Sequence, residues 1–288
     1  MPDASAANRV CGLVLSLFPG AGLLDAGFTQ AGFAVVRGPD TLLGQDIRML
    51  TLAGLDDAQP GKSRFDGIIA GPPCQDFSRA RRRPPSGHGL QMLSELARLI
   101  TEAKPNWFLV ENVPGVPTLQ FDGYTTQRFN MVASDFGLPH KRNRSFQFGS
   151  CTGDRLTIPR GTQSQYRSHS LPRLKPTPLA SKTGNRNFAE FCEMMGLPRK
   201  FTLPGLSRRA QFRVVGNGVP LPMAAAVAIA IRDRRITRNP RPCPCNCGRQ
   251  LTGRQTSATV ACRKRLQRVR ENTGPTTRIF PGRVTHAN

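Results

Sequence analysis

Short apolar runs alternate with amphipathic stretches along the first half of the chain. The runs at 14–18, 33–36, 68–70 and 107–110 are each bounded by Gly, Pro or polar residues, which predicts four buried strands. Apolar residues at helical spacing before the fourth run predict one buried helix face, formed by Leu90, Leu93, Leu96, Ala97 and Ile100. Strands that alternate with helices are typical of an α/β fold with a mainly parallel, doubly wound sheet.

The pattern changes towards the carboxyl end, and the chain divides into three predicted parts. Residues 1–149 and 212–235 form the α/β domain, which an alanine-rich helix running to about residue 232 completes. Residues 150–211 form a small lobe that begins with many Arg, Ser, Thr and Pro residues and offers no clear core. Residues 236–288 form a basic tail that contains Cys residues.

A glycine turn, Pro19-Gly20-Ala21-Gly22, joins the first strand to a helix predicted over 23–31. A strand, a glycine turn and a helix amino terminus form the usual cradle of a nucleotide-like ligand, because glycine lets the backbone approach closely. The next glycine is Gly27, so the spacing is not G-x-G-x-x-G, and an adenosyl cofactor without phosphates is favoured over a dinucleotide. The alternative is that these glycines merely turn the chain.

Two acidic residues, Asp40 and Asp46, follow the second strand. Their carboxylates can accept hydrogen bonds from ribose hydroxyls or from the exocyclic amine of adenine. An isolated Asp is more often a helix cap or a turn residue. The closeness of both residues to the glycine turn favours ligand binding.

Cys74 lies on a rigid loop at the end of the third strand. Gly71-Pro72-Pro73 precedes it and excludes both strand pairing and helix, because neither proline has an N–H group. Ligands bind at the carboxyl ends of strands in open α/β sheets, so the thiol is placed to react. Glu111 ends the neighbouring strand and can supply a proton beside a thiol nucleophile. The alternatives are a buried, inert Cys74 and a surface salt bridge at Glu111.

The charge balance indicates a polyanionic partner. The chain has 41 Lys and Arg residues against 18 Asp and Glu, a net charge of +23, which favours nucleic acid. A membrane partner is not expected, because no apolar run approaches the roughly 20 residues that a span needs. Half of the eight cysteines are scattered singly, which argues against a secreted disulfide framework and favours a reducing cytoplasm.

An arginine loop follows Cys74, defined here as residues 79–89. It contains Arg79, Arg81, Arg82 and Arg83, is broken by Pro and Gly, and lacks apolar periodicity. It is either a solvated basic surface loop or a segment that closes on phosphates.

Five motifs occur in the order found in DNA (cytosine-5)-methyltransferases, and the chain resembles a small, phage- or prophage-type member of that family between about residues 13 and 230. The motifs are Phe18-Pro19-Gly20-Ala21-Gly22, Gly71-Pro72-Pro73-Cys74-Gln75, Glu111-Asn112-Val113, Arg142-Asn143-Arg144 and Gly216-Asn217-Gly218-Val219-Pro220. The resemblance implies a Rossmann-like S-adenosylmethionine-dependent fold and methyl transfer to carbon-5 of cytosine in duplex DNA.

The resemblance also implies residue roles. Cys74 matches the nucleophile that adds to carbon-6 of a flipped-out cytosine, and Glu111 matches the carboxyl group that contacts the ring. Arg144 matches the arginine that holds the base carbonyl, and Arg142 its neighbour near the cysteine, where a guanidinium is expected to lower the pKa of the thiol. The cofactor positions are Phe18, Pro19, Gly20, Gly22, Asp40, Asp46, Ile47, Pro73, Asn217 and Val219. The DNA contacts are Gln75, Ser78, Arg79, Arg81, Arg82 and Arg83.

The chain departs from the family pattern at several points. His140 stands where Gln is usual, and the segment between Asp40 and Asp46 is short. Residues 150–211 correspond to a target-recognition region of small size. We expect a monomeric, cytoplasmic enzyme of the restriction-modification type. The alternatives are an RNA (tRNA) cytosine-5 methyltransferase and a non-catalytic DNA-binding protein on the same scaffold.

The tail carries a second candidate site. Residues 234–288 hold thirteen Lys and Arg residues and a single acid, Glu271. Four cysteines, Cys243, Cys245, Cys247 and Cys262, can hold a structural zinc ion tetrahedrally. However, C-x-C-x-C is tighter than the usual paired C-x-x-C, and a disordered basic tail that strengthens DNA binding is the alternative.

Overall fold

A six-stranded sheet forms the centre of the protein in the computed structural model. The structure describes residues 10–52, 64–78, 81, 84–159, 175–178, 187–233, 241–245, 247, 250–251, 257 and 259–272. The strands of the sheet are β1 (Leu13–Leu17), β2 (Ala34–Arg37), β3 (Gly67–Ala70), β4 (Trp107–Asn112), β5 (Thr125–Val132) and β6 (Asn143–Ser150). Their order across the sheet is β2-β1-β3-β4-β6-β5.

The first four strands are parallel, as the sequence predicted. The pairs β1–β2, β1–β3 and β3–β4 all run in the same direction. β6 and β5 continue the sheet as an antiparallel pair on the far side of β4. β5 is rich in Thr, Gln, Asn and Arg and is only partly buried, which suits a strand at the edge of a sheet. The prediction of a mainly parallel α/β fold is confirmed.

Helices cover both faces of the sheet. They are α1 (Leu23–Gln30), α2 (His88–Ala103), α3 (Phe188–Met194), α4 (Arg208–Asn217) and α5 (Leu221–Asp233). Side chains of α1 and α5, among them Phe28 and Val227, pack against Ile69 and Trp107 on one face. Side chains of α2 pack against Ile68 and Phe108 on the other. Neighbouring residues of one strand thus belong to opposite cores, which is the doubly wound arrangement.

The predicted buried face of α2 differs from the structure at two positions, because Ala97 is only half-buried and Leu90 is exposed. Leu93, Leu96 and Ile100 are buried, but Leu90 is 38% exposed. It lies in the first turn of the helix, where the chain has just left the arginine loop and no sheet residue covers it within the described core. Met92, Leu99 and Ala103 complete the buried face instead.

Residues from 187 onward pack close to the glycine turn. Phe191 and Cys192 of α3 and Phe212 and Val215 of α4 form a third core with Leu23 of α1. The division into domains stays a prediction, but its boundary at 211–212 falls inside α4. Residues 160–174 and 179–186, within the predicted target-recognition region, lie outside the described residues.

The stretch Arg208–Asp233 is apolar and long enough, by composition, to cross a membrane. It comprises two helices, α4 and α5, and the second contributes Met223, Ala224 and Val227 to the sheet core. Burial in this core accounts for its apolar character. The absence of a membrane partner stays a prediction.

Candidate active site

The loop that carries Cys74 is held from the neighbouring strand. Asn112, at the end of β4, donates a hydrogen bond of 3.1 Å from its side-chain amide to the carbonyl oxygen of Pro72. Its own amide oxygen accepts a bond of 2.8 Å from the backbone N–H of Val113. Cys74 has φ −102° and ψ 0°, in the sparsely populated bridge region where many active-site residues occur. A short 3-10 helix, Gln75–Phe77, follows at once and ends the rigid segment.

Glu111 and Arg144 form a largely buried ion pair beside this loop. They lie on the adjacent antiparallel strands β4 and β6, and 2.8 Å separates Arg144 Nε from Glu111 Oε1. Within the described residues this guanidinium is the only partner of the carboxylate. Burial raises the pKa of Glu111, against the opposing effect of Arg144 and Arg142. The carboxyl group therefore has an oxygen free to bind a donor and a raised tendency to carry a proton.

The arginines lower the pKa of Cys74 as expected, but other causes outweigh them and the net shift is upward. Burial raises the pKa of this thiol above its ordinary value, and the charge of Glu111 raises it further. Arg144 and Arg142 act in the expected direction but do not outweigh these two causes. In the free protein the sulfur is therefore held mainly as a thiol.

Arg142 contacts backbone rather than the cavity beside Cys74. Its guanidinium donates to the carbonyl oxygens of Pro178 at 2.8 Å, Gly216 at 2.6 Å and Gly218 at 3.0 Å. Burial, and then the nearby charge of Arg144, lowers the pKa of Arg142 to about 9. These contacts are those of a positioning residue, which joins β6 to the loop after α4.

His140 connects the backbone of Arg142 to the carboxyl end of α3. Its Nε2 lies 2.6 Å from the carbonyl oxygen of Met194, and its Nδ1 accepts a bond of 3.3 Å from the backbone N–H of Arg142. The ring is fully buried, and burial lowers the pKa of His140. A neutral ring that donates from Nε2 and accepts at Nδ1 satisfies both contacts.

One cavity of about 660 Å³ joins the Cys74 loop to the glycine turn. Most of the predicted catalytic and cofactor residues line it: Phe18, Pro19, Gly20, Asp40, Asp46, Ile47, Pro73, Cys74, Gln75, Glu111, Arg144, Asn217 and Val219. Gly22, Ser78 and Arg142 are not among the lining residues. The reactive thiol and the predicted cofactor cradle thus open into one space.

The glycine turn approaches this cavity through its backbone. Gly20 has φ +53°, a conformation that favours glycine, and a Cβ built there meets nothing within 4 Å, so the position opens into free space. Its backbone N–H donates to Asp40 Oδ2 at 2.8 Å. Phe18 also has a positive φ of 55°, which is unusual for an aromatic residue and indicates local strain.

Gly22 and Asp46 contact protein groups in this structure: Gly22 packs against Arg37, and Asp46 binds Arg48. Gly22 begins α1 with φ +72°, and a Cβ built there would lie 1.9 Å from Arg37. Asp46 binds the guanidinium and backbone N–H of Arg48, and these hydrogen bonds lower the pKa of Asp46 to about 2. The Asp46 carboxylate is therefore already paired with a cation.

Sequence reasoning missed a buried polar group in the cavity wall. Asp25 is 2% exposed and accepts hydrogen bonds from Ser16 Oγ at 2.6 Å and Arg37 Nε at 2.8 Å. The three side chains come from β1, α1 and β2, and β1 and α1 are the elements that the glycine turn joins. The one available signal was an acid in the first turn of a helix, which is common without any special role.

Asp76 joins the two ends of the arginine loop. Its carboxylate accepts from the backbone N–H groups of Ser86 at 2.9 Å and Gly89 at 2.8 Å. The exposed Arg81 donates to the Asp76 carbonyl oxygen at 3.2 Å. Arg79, Arg82 and Arg83 lie outside the described residues.

The four tail cysteines lie together. Cys243, Cys245, Cys247 and Cys262 have all their sulfur atoms within 4.8 Å of one another. They lie on or beside the two-stranded sheet β7 (Arg241–Pro242) and β8 (Gln250–Leu251) and on helix α6 (Val260–Asn272). The structure thus brings together the four residues that the sequence suggested as metal ligands, and the binding of an ion stays a prediction.

Comparison with known proteins places the chain in a family. The family model described as C-5 cytosine-specific DNA methylase matches residues 45–187. The Type II methyltransferase M.AquIA of Picosynechococcus is 30% identical over 191 residues, which cover 52% of this chain and 76% of that protein. This chain belongs to the C-5 cytosine-specific DNA methylases. The predicted family and the enzyme class of DNA cytosine-5 methyltransferases are thereby confirmed.

Other members of the family extend this comparison. The Type II methyltransferase M.HgiDI of Herpetosiphon aurantiacus is 28% identical over 179 residues, which cover 54% of this chain and 58% of that protein. M.FnuDI of Fusobacterium nucleatum is 28% identical over 217 residues, which cover 62% of this chain and 60% of that protein. The chain thus spans only about three fifths of these two relatives.

Solved structures support the fold. A protein encoded within an E. coli prophage, described as a DNA modification methyltransferase, superposes with a TM-score of 0.51 at 17% identity, covering 77% of this chain and 98% of that one. The Entamoeba histolytica methyltransferase EhMeth gives 0.51 at 15% identity, covering 77% and 98%. At these identities the likeness establishes the methyltransferase fold and nothing finer.

Proposed function

We propose that this protein transfers a methyl group from S-adenosylmethionine to carbon-5 of a cytosine that has been rotated out of duplex DNA. The observation that carries the proposal is the single cavity shared by Cys74, the Glu111–Arg144 pair and the glycine turn. A thiol, a carboxyl group with a free oxygen and a cofactor cradle in one space suit covalent catalysis on a heterocycle.

The cofactor end of the cavity fits an adenosyl group. The volume of about 660 Å³ is in the range of small-molecule sites and leaves room for a second ligand beside the cofactor. Gly20 opens towards it, Asp40 offers carboxylate oxygens, and Ile47 and Val219 offer apolar surface. When bound, S-adenosylmethionine supplies the electrophilic methyl group.

Cys74 performs the covalent step. Its thiolate adds to carbon-6 of the cytosine, and the electron pair of the carbon-5–carbon-6 double bond makes carbon-5 nucleophilic. After methylation, water acting as a base takes the proton from carbon-5, and the electron pair of that carbon–hydrogen bond re-forms the carbon-5–carbon-6 double bond. The carbon–sulfur bond breaks with its electron pair returning to the sulfur, and nitrogen-3 gives its proton back to Glu111. The rigid loop held by Asn112 keeps the sulfur in place through both halves of the reaction.

Glu111 and Arg144 neutralise the charge that develops on the ring. A Glu111 side chain with a raised pKa can give a proton to ring nitrogen-3 as the thiolate adds, and its free oxygen can accept from the exocyclic amine. Arg144 remains beside it to bind the base carbonyl. Because the proton comes from Glu111, the Arg144 guanidinium keeps its positive charge throughout the step.

Binding of duplex DNA rests on the positive charge of the chain. A net charge of +23 favours a phosphate backbone, and extrusion of a base opposes binding by a few kcal/mol. The arginine loop begins next to the nucleophile, and the Asp76 carboxylate holds the carboxyl end of the loop by accepting hydrogen bonds from Ser86 and Gly89. Arginines of the loop would therefore lie beside the opened duplex. Gln75 lines the cavity and Ser78 follows it, and both are proposed to face the extruded cytosine.

Methyl transfer from labelled S-adenosylmethionine tests the proposal directly. We expect transfer to duplex DNA, loss of transfer in Cys74→Ser, and unchanged transfer in Cys151→Ser, which removes an exposed cysteine remote from the cavity. A duplex containing 5-fluorocytosine should trap a covalent complex with the unsubstituted protein and with Cys151→Ser, but not with Cys74→Ser. Transfer to tRNA alone would favour an RNA substrate, and DNA binding without any transfer would contradict catalysis.

A further inference from the structure

We propose that the four tail cysteines bind one structural zinc ion, and that this ion holds helix α6 as an additional basic surface for nucleic-acid phosphates. The sulfur atoms of Cys243 and Cys245 are 3.4 Å apart, and those of Cys247 and Cys262 are 3.6 Å apart. A tetrahedral site with zinc–sulfur bonds of about 2.3 Å requires sulfur–sulfur distances of roughly 3.8 Å. The cluster therefore already has the size of a four-thiolate zinc site.

Disulfide bonds do not account for the cluster. None of the four cysteines forms a disulfide bond, and the sulfur–sulfur distances of 3.4 Å and 3.6 Å far exceed the roughly 2.05 Å of such a bond. Each sulfur also lies within 4.8 Å of all three others, so the four form one group and not two separate pairs. Such a group is better suited to bind one tetrahedral ion than to form two disulfide bonds.

Within its described residues, this part of the chain has no apolar core that could order it without a metal. Among its described residues, the one buried cluster consists of cysteines, with Cys243 and Cys262 buried and Cys245 and Cys247 packed against them. The sheet β7–β8 has two residues in each strand, which is too short to be stable alone. Small elements of this kind are stabilised by metal binding, which then supplies their folding free energy.

The surroundings of Cys262 suit a metal-bound thiolate. Cys262 lies in the first turn of α6, where the helix dipole favours a negative charge. The hydroxyl of Thr259 accepts a bond of 3.2 Å from the backbone N–H of Cys262 and lies 3.1 Å from its sulfur, to which it donates. A hydroxyl that both caps the helix and donates to the sulfur is a supporting contact of the kind that orients metal ligands.

Helix α6 presents a basic surface. Arg263, Lys264, Arg265 and Arg268 are all exposed, and within the part of the chain that the structure describes none of them forms an ion pair. A zinc ion with four thiolates carries a net charge of −2, which such a helix more than offsets. The excess positive charge is suited to phosphates, which release counterions when they bind Lys and Arg.

Metal analysis of the full-length protein, purified without chelator, tests the ion. We expect about one zinc per chain, loss of zinc in the Cys247→Ser/Cys262→Ser double variant, and full zinc content in Cys151→Ser. Cobalt substitution should give the visible absorption of tetrahedral cobalt with thiolate ligands. Zinc-free protein, disulfides detected by non-reducing mass spectrometry, or zinc retained by the double variant would overturn the site.

A second measurement covers the role of α6 and does not depend on catalysis. Removal of zinc by a chelator should lower helix content by circular dichroism, reversibly, and leave the thermal transition of the methyltransferase domain unchanged. Affinity for duplex DNA without a target cytosine should fall, and the slope of log affinity against log salt should decrease in magnitude by up to about four.

The matched variant keeps the cysteines and removes the charges. Substitution of Arg263, Lys264, Arg265 and Arg268 by Gln should lower DNA affinity to the same extent as zinc removal while one zinc per chain remains bound. Unchanged affinity and salt dependence after both treatments would overturn the proposed phosphate contact. Failure of methyl transfer has no bearing on either result, because neither is measured by turnover.

Discussion

The side chain of Asn112 donates a hydrogen bond to the carbonyl oxygen of Pro72 across the junction of β4 and the Cys74 loop. β3 and β4 are parallel neighbours, and Ala70 is in register with Val110, so the loop and Glu111 leave the sheet side by side. The prolines of this loop cannot donate backbone hydrogen bonds, so two contacts hold the loop: the Gly71 N–H donates to the carbonyl oxygen of Leu17, and Asn112 donates to that of Pro72. Asn112 is thereby the link between the nucleophile and the strand that carries the acid.

Substitution of Asn112 by Ala should slow methyl transfer without abolishing binding of the cofactor. The Pro72 carbonyl would lose its partner, and the transfer rate should fall by about 10- to 100-fold, which corresponds to about 1–3 kcal/mol. Single-turnover rates and cofactor affinity measure the two effects separately. Asn106→Ala, an exposed position before the same strand, is the control. Equal rates in the two variants would show that the hydrogen bond does not position Cys74.

Glu111→Gln tests the carboxyl group as a proton donor. Gln keeps the shape but cannot give a proton to the base, so the transfer rate should fall by roughly 10²- to 10⁴-fold. Glu95→Gln, which removes one partner of the Arg98 pair on α2, is the control and should retain the rate. Circular dichroism and cofactor affinity should be unchanged in both variants. A Glu111→Gln enzyme with normal turnover would remove Glu111 from the mechanism.

The pKa of Cys74 should shift in opposite directions when the charge of Glu111 or that of Arg144 is removed. Because burial and Glu111 raise this pKa above its ordinary value of 9.0, alkylation of Cys74 in the free protein should be slow at neutral pH and still rise beyond pH 9.0. Glu111→Gln removes a negative charge and should move the profile to lower pH. Arg144→Gln removes a positive charge and should move it to higher pH.

Peptide-resolved mass spectrometry after iodoacetamide treatment separates Cys74 from the other cysteines. Cys151 serves as the internal reference, because it is exposed and follows the end of β6 that is remote from Arg144. Its alkylation profile should not change in either variant. Shifts of the same sign in Glu111→Gln and Arg144→Gln would contradict an electrostatic cause. The downward shift expected for Glu111→Gln also implies that a protonated, uncharged Glu111 favours the Cys74 thiolate.

The convergence of Cys74 and Glu111 could be predicted because it depends on local order alone. Both residues follow apolar strands, and parallel neighbours bring their carboxyl ends to one edge of the sheet. The glycine turn was predictable for the same reason, since Gly20 and Gly22 adopt backbone conformations that favour glycine. Sequence motifs of this kind encode their own geometry.

Other features depend on contacts between distant segments and could not be predicted. The carbonyl groups that Arg142 binds lie 36, 74 and 76 residues further along the chain, so its positioning role becomes visible only in the folded structure. The sign of the Cys74 pKa shift depends on how deeply the loop is buried, which no motif specifies. Leu90 matches the helical period, yet the sheet does not extend over the first turn of α2.

Arg142→Lys should destabilise the fold and the loop after α4. Arg142 donates from two separate nitrogens, Nη1 and Nη2, whereas lysine has one, so at least one buried acceptor should lose its partner. The unfolding free energy should fall by about 2–5 kcal/mol. Urea denaturation measures this change. Arg64→Lys, at an exposed position before β3, is the control. Cofactor affinity should fall as well, because Gly218 and Val219 adjoin the cavity; unchanged stability would show that the carbonyl contacts are dispensable.

Charge reversal in the arginine loop tests its contact with DNA. If Arg82 and Arg83 bind phosphates beside the cavity, their replacement by Glu should weaken DNA binding, lower the magnitude of the salt slope by about two, and reduce turnover.

The matched control is Arg64→Glu/Lys104→Glu, which changes the net charge equally. These two residues precede β3 and β4 and so lie at the amino ends of the strands, opposite the cavity. Any loss common to both double variants reports the overall charge of the protein, and only the excess in Arg82→Glu/Arg83→Glu reports the loop. Because Asp76 holds the two ends of the loop through backbone N–H groups, the substitutions leave its anchoring intact. Equal affinity, salt slope and turnover in the two variants would therefore mean that the loop contributes charge without contacting the opened duplex.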